Sequence, residues 1–338
     1  SVSRGLGDVY KRQEFIDLTK GLCISLVVLF HIHCFETTTE TALRFFRMPL
    51  YYFLSGIFFR EYAGLLSFSV KKINKLIIPY LFFFLMAYLA GIVCHFLHFY
   101  EKGIIEEPFH WNMIFDIFTK LSQGENIGYN SPIWFLISLF EVNILFYILR
   151  IEIKNDHILL LTAFLIGILS ILAGLDKLPY FIDRSLIAFP FFAVGYYCRN
   201  LILTTKEIGK GKLYLFAACC FAFIYFCATL SEPTRDTFFI HYLAGLSGIG
   251  MILSVSKALN KLPLISYIGR YSLVVLGFHT FLVGPMRFIF SFASPVGQYI
   301  LSFIAIAILM RFLIIPISIK FFPYFTAQKD LIKLPNKE

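Results

Sequence analysis

Charge is scarce in this chain. Of its 338 residues only 15% are Asp, Glu, Lys or Arg, and 58% are hydrophobic. Soluble domains carry about 25% charged and 45–50% apolar residues, so a soluble globular protein is excluded. Paired cysteines are lacking as well. Cys23, Cys34, Cys94, Cys198, Cys219, Cys220 and Cys227 lie in or at the ends of apolar runs, with no C-x-x-C spacing. That distribution excludes a disulfide framework or zinc site; no metal is expected, and the thiols read as small buried hydrophobes. There is no basic stripe interleaved with aromatics and no nucleic-acid motif. The net charge of +9 therefore carries no nucleic-acid meaning. Internal repeats, low-complexity segments and interdomain breaks are also missing.

What the chain has instead is ten apolar runs, at about 16–35, 42–59, 76–98, 133–149, 158–175, 186–203, 213–230, 238–256, 264–285 and 299–321. Each is near the ~20 residues needed to cross the hydrocarbon of a bilayer. The expected fold is an all-α polytopic membrane bundle of about ten transmembrane helices. Lys and Arg number sixteen in the even-numbered connections and the tail, against six in the odd-numbered ones. That bias places both termini in the cytoplasm. The long connection 99–132 then lies outside, with an apolar piece at about 111–121 that suits a short amphipathic helix on the membrane or over a site, or equally a structured cap with no chemistry. Residues 14–325 form one transmembrane domain, followed by a cytoplasmic tail at 326–338. The first thirteen residues look foreign: D-V-Y-K-R-Q at 8–13 is what a sequencing-library adaptor encodes in one frame, and no apolar run in the leader fits a signal peptide.

The first run is not purely apolar. It carries Asp17 and Lys20 near its start and His31, His33 and Glu36 near its end. At ~100° per residue, Lys20 and His31 fall within about 20° of each other, roughly 16 Å apart along the axis, and Asp17 within about 40°. One stripe thus holds Asp17, Lys20, Ile24, Val28 and His31. Ionisable groups in a bilayer cost several kcal/mol unless they face the protein interior or water, so the stripe marks a site. Histidine is the natural base near neutral pH. Its bland alternative is an imidazole that merely hydrogen-bonds between helices. His33, some 200° around the helix from His31, is expected to pack elsewhere. His31 and Glu36 have an H-x4-acid spacing that a helix splays by about 140°.

Other polar groups sort by depth. Arg60, Lys71, Lys72, Lys75 and Arg270 join Asp17 and Lys20 on the cytoplasmic side, while Arg44, Arg47 and His279 join His31 in the outer half. Arg44 and Arg47 suit snorkelling to headgroups or orienting an acceptor. Pro49 removes a backbone hydrogen bond in the second run, and Ser55-Gly56 favours close helix approach.

In order, the chain reads E-x-I-D-x-x-K-G, an apolar run ending in His31, R-M-P-L-Y-Y-F-L-S-G, a Lys-rich loop and K-L-I-I-P-Y. I-W-F-L-I-S-L-F (from Ile133, with Trp134), A-F-P-F-F-A-V-G-Y and I-G-R-Y-S-L-V-V-L-G-F-H follow. This ordered set resembles the acyltransferase-3 family of integral-membrane O-acyltransferases over nearly the whole chain after Gln13. The family's basic-x10-His motif falls on Lys20 and His31. Where many relatives have His before the M-P of the second run, this chain has Arg47. The resemblance implies transfer of an acyl group, usually acetyl, from cytoplasmic acyl-CoA as co-substrate to a hydroxyl of a cell-envelope glycan or glycolipid, at the inner membrane. His31 would be the catalytic base. Lys20, Lys71, Lys72, Lys75 and Arg270 would hold acyl-CoA. Asp17, Glu36, Arg44, Arg47, Ser55, Trp134 and His279 would support the acceptor or the site. A non-catalytic glycan transporter or export partner is the competing expectation, and a structural scaffold the third.

Overall fold

The computed structural model describes residues 2–62, 64–203, 208–230 and 238–333, with side chains from Glu14 onward except Phe238. The leader expected at 1–13 therefore has no described side chains. Among the described residues there are sixteen α-helices and no strand. They are α1 (Val2–His31), α2 (Thr37–Arg44), α3 (Arg47–Ile57), α4 (Leu65–Lys72), α5 (Ile78–Phe96), α6 (Asp116–Ser122), α7 (Trp134–Glu152) and α8 (Asp156–Leu172), then α9 (Ile182–Tyr197), α10 (Arg199–Leu203), α11 (Lys210–Leu230), α12 (Phe238–Leu259), α13 (Pro263–Arg270), α14 (Ser272–Ile289), α15 (Pro295–Leu309) and α16 (Ile315–Phe321).

Among the described residues six helical stretches are long and apolar enough to cross a bilayer: Leu65–Phe96, Ser131–Glu152, Lys210–Leu230, Phe239–Leu259, Ser272–Ile289 and Pro295–Phe321. Three of the ten expected runs are broken, the sixth at Cys198 between α9 and α10. The second divides at Phe45–Phe46 into α2 and α3. Pro49 explains the place: continued helix would drive its ring into the Phe45 carbonyl, whereas a restart at Arg47 puts Pro49 in a first turn, where no donor is needed. The ninth run divides at Tyr271 into α13 and α14. Two others stay continuous through a widened turn. Ile73–Ile77 and Met310–Ile314 are π-helical turns, each ending two residues before a proline, Pro79 and Pro316. A widened turn accommodates the missing N–H and the ring of the proline that follows.

The helices gather into two compact units, one of residues 1–59, 160–174 and 188–272, the other of 60–159, 175–187 and 273–338. In the first unit α1 lies along α13 at backbone contact. A Cβ on Gly21 would come within 2.0 Å of the Ile265 carbonyl oxygen, and one on Gly269 within 1.8 Å of the Asp17 carbonyl oxygen. Only glycine fits both positions, and the pair sets how closely the helices approach. Gly56 and Gly195 do the same for α3 and α9, where a Cβ on either would come within 2.0 Å of a carbonyl oxygen of the other helix. Helix packing is thus the role of Gly56, as Ser55-Gly56 suggests in sequence.

In the second unit Phe68 stacks on Tyr147 with ring centres 4.4 Å apart. Buried Asn74 accepts hydrogen bonds from the backbone N–H groups of Leu331 and Ile332, both at 2.8 Å, and donates to the Ile332 carbonyl at 2.9 Å. That three-point bond lays the C-terminal segment against the start of the α4–α5 rod. At the end of the long 99–132 connection, fully buried Asn130 donates to the Gly277 carbonyl at 2.9 Å and accepts from Thr280 at 3.2 Å, fixing the connection to α14.

Candidate active site

The polar stripe of α1 faces inward. Asp17, Ile24 and Val28 are buried, Lys20 and His31 half-buried. Asp17 is answered from α13, where Arg270 Nε donates to its carboxylate at 3.0 Å, and one turn earlier Glu14 pairs with Lys261. Arg270 thus acts first as the counter-charge that keeps a buried aspartate tolerable. Lys20 sits with its ammonium 5.8 Å from the centre of the Phe58 ring, and its carbonyl accepts the Tyr51 hydroxyl at 3.0 Å.

His31 is the last residue of α1. The helix closes with paired turn bonds, His33 N–H to the Phe30 carbonyl at 2.8 Å and Cys34 N–H to the Leu29 carbonyl at 3.2 Å, with His33 at φ +60°. This Schellman ending satisfies carbonyls of the last turn and places His31 on the final helical position beside the ring of Phe30. It also corrects the expectation for His33. That residue is not on another face of the helix; it is exposed in the left-handed turn beyond it. Glu36 lies past the turn, exposed at the N-cap of α2, where it accepts the Thr39 hydroxyl at 3.3 Å.

Arg47 departs from a snorkelling side chain. It is 6% exposed, its guanidinium pairs with Glu40 of α2 through both terminal nitrogens and lies 4.6 Å from the centre of the Phe30 ring, and its carbonyl accepts the Cys23 thiol. A charge this buried needs its partner, so Arg47 braces α1, α2 and α3 beneath His31's turn. Arg44 is exposed and Ser55 half-buried.

The remaining expected residues belong to the second unit. Lys71 and Lys75 both reach Asp330, at 2.6 and 3.3 Å, and Lys75 also donates to the Ala327 carbonyl at 2.6 Å. The hydrogen bond from Lys71 is the leading cause that holds the Asp330 carboxyl below its ordinary range. Lys72 lies 5.2 Å from the Phe68 ring centre. Trp134 opens α7 with the Arg184 guanidinium 4.5 Å over its ring. His279 is fully buried, with Nδ1 2.8 Å from the Val275 carbonyl and 3.1 Å from that of Leu276. Carbonyls only accept, so Nδ1 carries the proton and the ring is an interior hydrogen-bonding histidine.

One polar group escaped the sequence reading although the same rule finds it. Glu141 stands in the middle of an apolar run, as Asp17 does. Its carboxylate accepts the Ser185 hydroxyl at 2.6 Å, and Ser185 lies 2.7 Å from the Ser138 hydroxyl.

A family profile described as an acyltransferase domain matches residues 13–319. The chain belongs to the acyltransferase-3 family. Together with its apolar helices, this makes the protein a multi-pass membrane acyltransferase. No curated protein and no solved structure matches the chain.

Proposed function

We propose that the protein is an O-acyltransferase of the cytoplasmic membrane, moving an acyl group, most simply acetyl, from cytoplasmic acyl-CoA to a hydroxyl of a cell-envelope glycan. The observation that carries this reading is the stripe of α1, buried at Asp17, Ile24 and Val28 and ending on the half-exposed His31. A helix with one ionisable stripe turned inward, capped by an imidazole accessible to a substrate, is built for proton transfer at one end and charge recognition at the other.

His31 takes the proton of the acceptor hydroxyl as its oxygen attacks the thioester carbonyl. The C–S bond then breaks, and the imidazolium returns the proton to the departing coenzyme A thiolate. Lys20, about 16 Å down the same stripe, provides positive charge for the phosphates of the donor. Arg270 contributes from its exposed flank while holding Asp17. Lys71 and Lys75 share one carboxylate, Asp330, and are left out of this reading because both are engaged in holding the C-terminal segment. In the membrane the reading takes ten spans, both termini in the cytoplasm and the 99–132 connection outside, which reporter fusions after Leu121 and at the C-terminus test directly.

The decisive experiment incubates purified protein with acyl-labelled acetyl-CoA and a panel of envelope glycans. Label appearing in ester linkage on a glycan supports the reading, and Lys20→Ala should then raise the KM for acetyl-CoA with a smaller effect on kcat. If wild-type protein neither hydrolyses acetyl-CoA nor transfers its acyl group to any glycan, the protein is a glycan export partner and His31 has no catalytic role.

A further inference from the structure

In the second unit the long connection leaves α5 after Phe96 and then turns back along it. Phe109 packs on Gly91, where a Cβ would come within 2.8 Å of the ring. The Tyr88 hydroxyl donates to the Trp111 carbonyl at 3.1 Å. Further along, Ile117, Phe118 and Leu121 of α6 share the wall of a cavity of about 580 Å³ with Leu81 of α5 and Glu141 of α7. At 1.5 Å per residue, Gly91, Tyr88 and Leu81 lie roughly 8, 12 and 22 Å inside the Phe96 end of α5. The segment from Trp111 to Ser122 therefore lies beside a helix long and apolar enough to cross the bilayer, rather than beyond its end.

Its two sides differ. Trp111, Phe115 and Phe118, spaced by four and three, share one side and are exposed at 58, 61 and 73%. Thr119 and Ser122 are exposed on the same side, and their hydroxyls donate to the Phe115 carbonyl at 3.2 Å and the Thr119 carbonyl at 2.8 Å. Hydroxyls bonded in this way to their own helix need no water. The charges sit elsewhere: Asp116 and Lys120 pair with each other at 3.1 Å, while Leu121 is buried. On α5 the apolar surface continues through Leu81, Leu85, Leu89 and Val93, exposed at 47, 45, 45 and 56%.

We infer that this segment is an interfacial anchor, with Trp111, Phe115 and Phe118 sunk in the bilayer hydrocarbon just inside the headgroups, in the leaflet at the Phe96 end of α5. The sequence leaves a membrane-surface helix, a lid and an inert cap open. A lid would turn its aromatics inward over a site, and these turn outward. An inert cap in water would expose three neighbouring aromatics as one apolar patch, which water disfavours. An uncharged side with its hydroxyls already bonded offers little to a glycan or a polar protein surface, and its continuity with the exposed leucines of α5 selects lipid. Indole and phenyl rings on one side of a short helix are the usual means of holding such a segment at the membrane boundary.

Trp111 and Trp134 are the two tryptophans of the chain, so Trp134→Phe isolates the emission of Trp111 in the full-length protein. In phosphatidylcholine vesicles that emission should be blue-shifted. Lipid brominated on its acyl chains should quench it severalfold more than iodide present on both sides of the membrane. Phe115→Asp, which sets a charge among the lipid chains, should weaken quenching by bromolipid and admit iodide, whereas Gln123→Asp, exposed past the end of α6, should change neither. Quenching by iodide equal to or above that by bromolipid would make the segment a water-facing cap. Protection from both quenchers would mean that a protein surface, a partner or a second copy, covers it; either result overturns the anchor. If Trp134→Phe does not fold, the difference between wild type and Trp111→Phe reads the same emission. The readout needs neither acyl transfer nor a choice of which leaflet is outer, so its outcome is independent of the activity and topology proposed above.

Discussion

Helices α1 and α7 both carry an acid into apolar surroundings, and they house it in opposite ways. Asp17 on α1 is met by a guanidinium, Arg270, across a glycine-tight helix crossing. Glu141 on α7 is met by a neutral hydroxyl, Ser185, and faces a cavity. An ion pair spends the charge on holding two helices together, whereas a hydroxyl orients a carboxyl and leaves its charge for something else. By that measure Asp17 is scaffold, and the chemistry proposed for the α1 stripe falls to Lys20 and His31. The same division runs through the cations. Arg47 is locked to Glu40, and Lys71 and Lys75 to Asp330, whereas Lys20 leans on the Phe58 ring.

The sharpest way to break this contrast is at the end of α1. His31→Ala should lower acyl transfer by about 10²–10⁴, the usual cost of losing a general base. His33→Gly should retain most activity, because that position is an exposed left-handed turn that glycine adopts freely. Measured as acyl groups on the glycan per amount of folded protein, equal losses in the two variants would remove the distinction. Next in size is the buried pair beneath that turn. Arg47→Met alone should destabilise the protein by about 3–5 kcal/mol, by stranding Glu40, and Glu40→Gln in the same chain should recover part of it. Thermal unfolding of the two single variants and the double variant tests this; a double variant no more stable than Arg47→Met would show that the guanidinium acts by packing on Phe30.

Gly269→Ala should cost roughly 1–3 kcal/mol or more, since its new methyl meets the Asp17 backbone with no flexible side chain to move aside. Gly211→Ala in α11, where nothing lies within 4 Å, is the control and should unfold at or above the wild-type temperature. The smallest effect belongs to Asp330. Its pKa is lowered in the folded protein, so its contribution is complete at neutral pH and is lost as pH falls below the ordinary value of about 3.9 and through the folded one. Protease clipping of the C-terminal segment should accelerate over that window. Asp330→Asn should clip faster at pH 7 and lose the pH dependence, at a cost of at most about 1 kcal/mol for so exposed a pair.

Much of this was legible in the residues themselves. Composition and run length specify an all-helical membrane chain, and the 3.6-residue period correctly turns Asp17, Ile24 and Val28 inward, because burial follows the face of a helix. The break at Phe45–Phe46 was half legible: Pro49 announced a lost hydrogen bond, but whether a helix bends or restarts depends on what packs around it. Of the two options for Arg47, snorkelling falls for a related reason. An arginine near the end of an apolar run snorkels unless a buried acid is within reach, and Glu40 came within reach only because the run broke. Glu141 carried the signal already applied to Asp17 and was passed over for want of neighbours, since Ser185 is 44 positions away. Partners at such distances leave no periodic trace.

The separation of partners along the chain has a consequence in time. Asp17 and Arg270 are 253 positions apart, and Lys71 and Asp330 are 259. At about 5–20 residues per second, a ribosome that has delivered α1 needs roughly 10–50 s more before Arg270 exists. Throughout that interval the acid of the first helix has no cation from its own chain, so shelter must come from the insertion machinery, from water at the membrane surface or from a borrowed proton. The Lys-rich end of α4 waits as long for its clasp. Each unit is therefore sealed by some of the last residues to emerge, and a pause in translation shortly before Arg270 would lengthen the period in which a nearly finished protein is open to quality-control proteolysis.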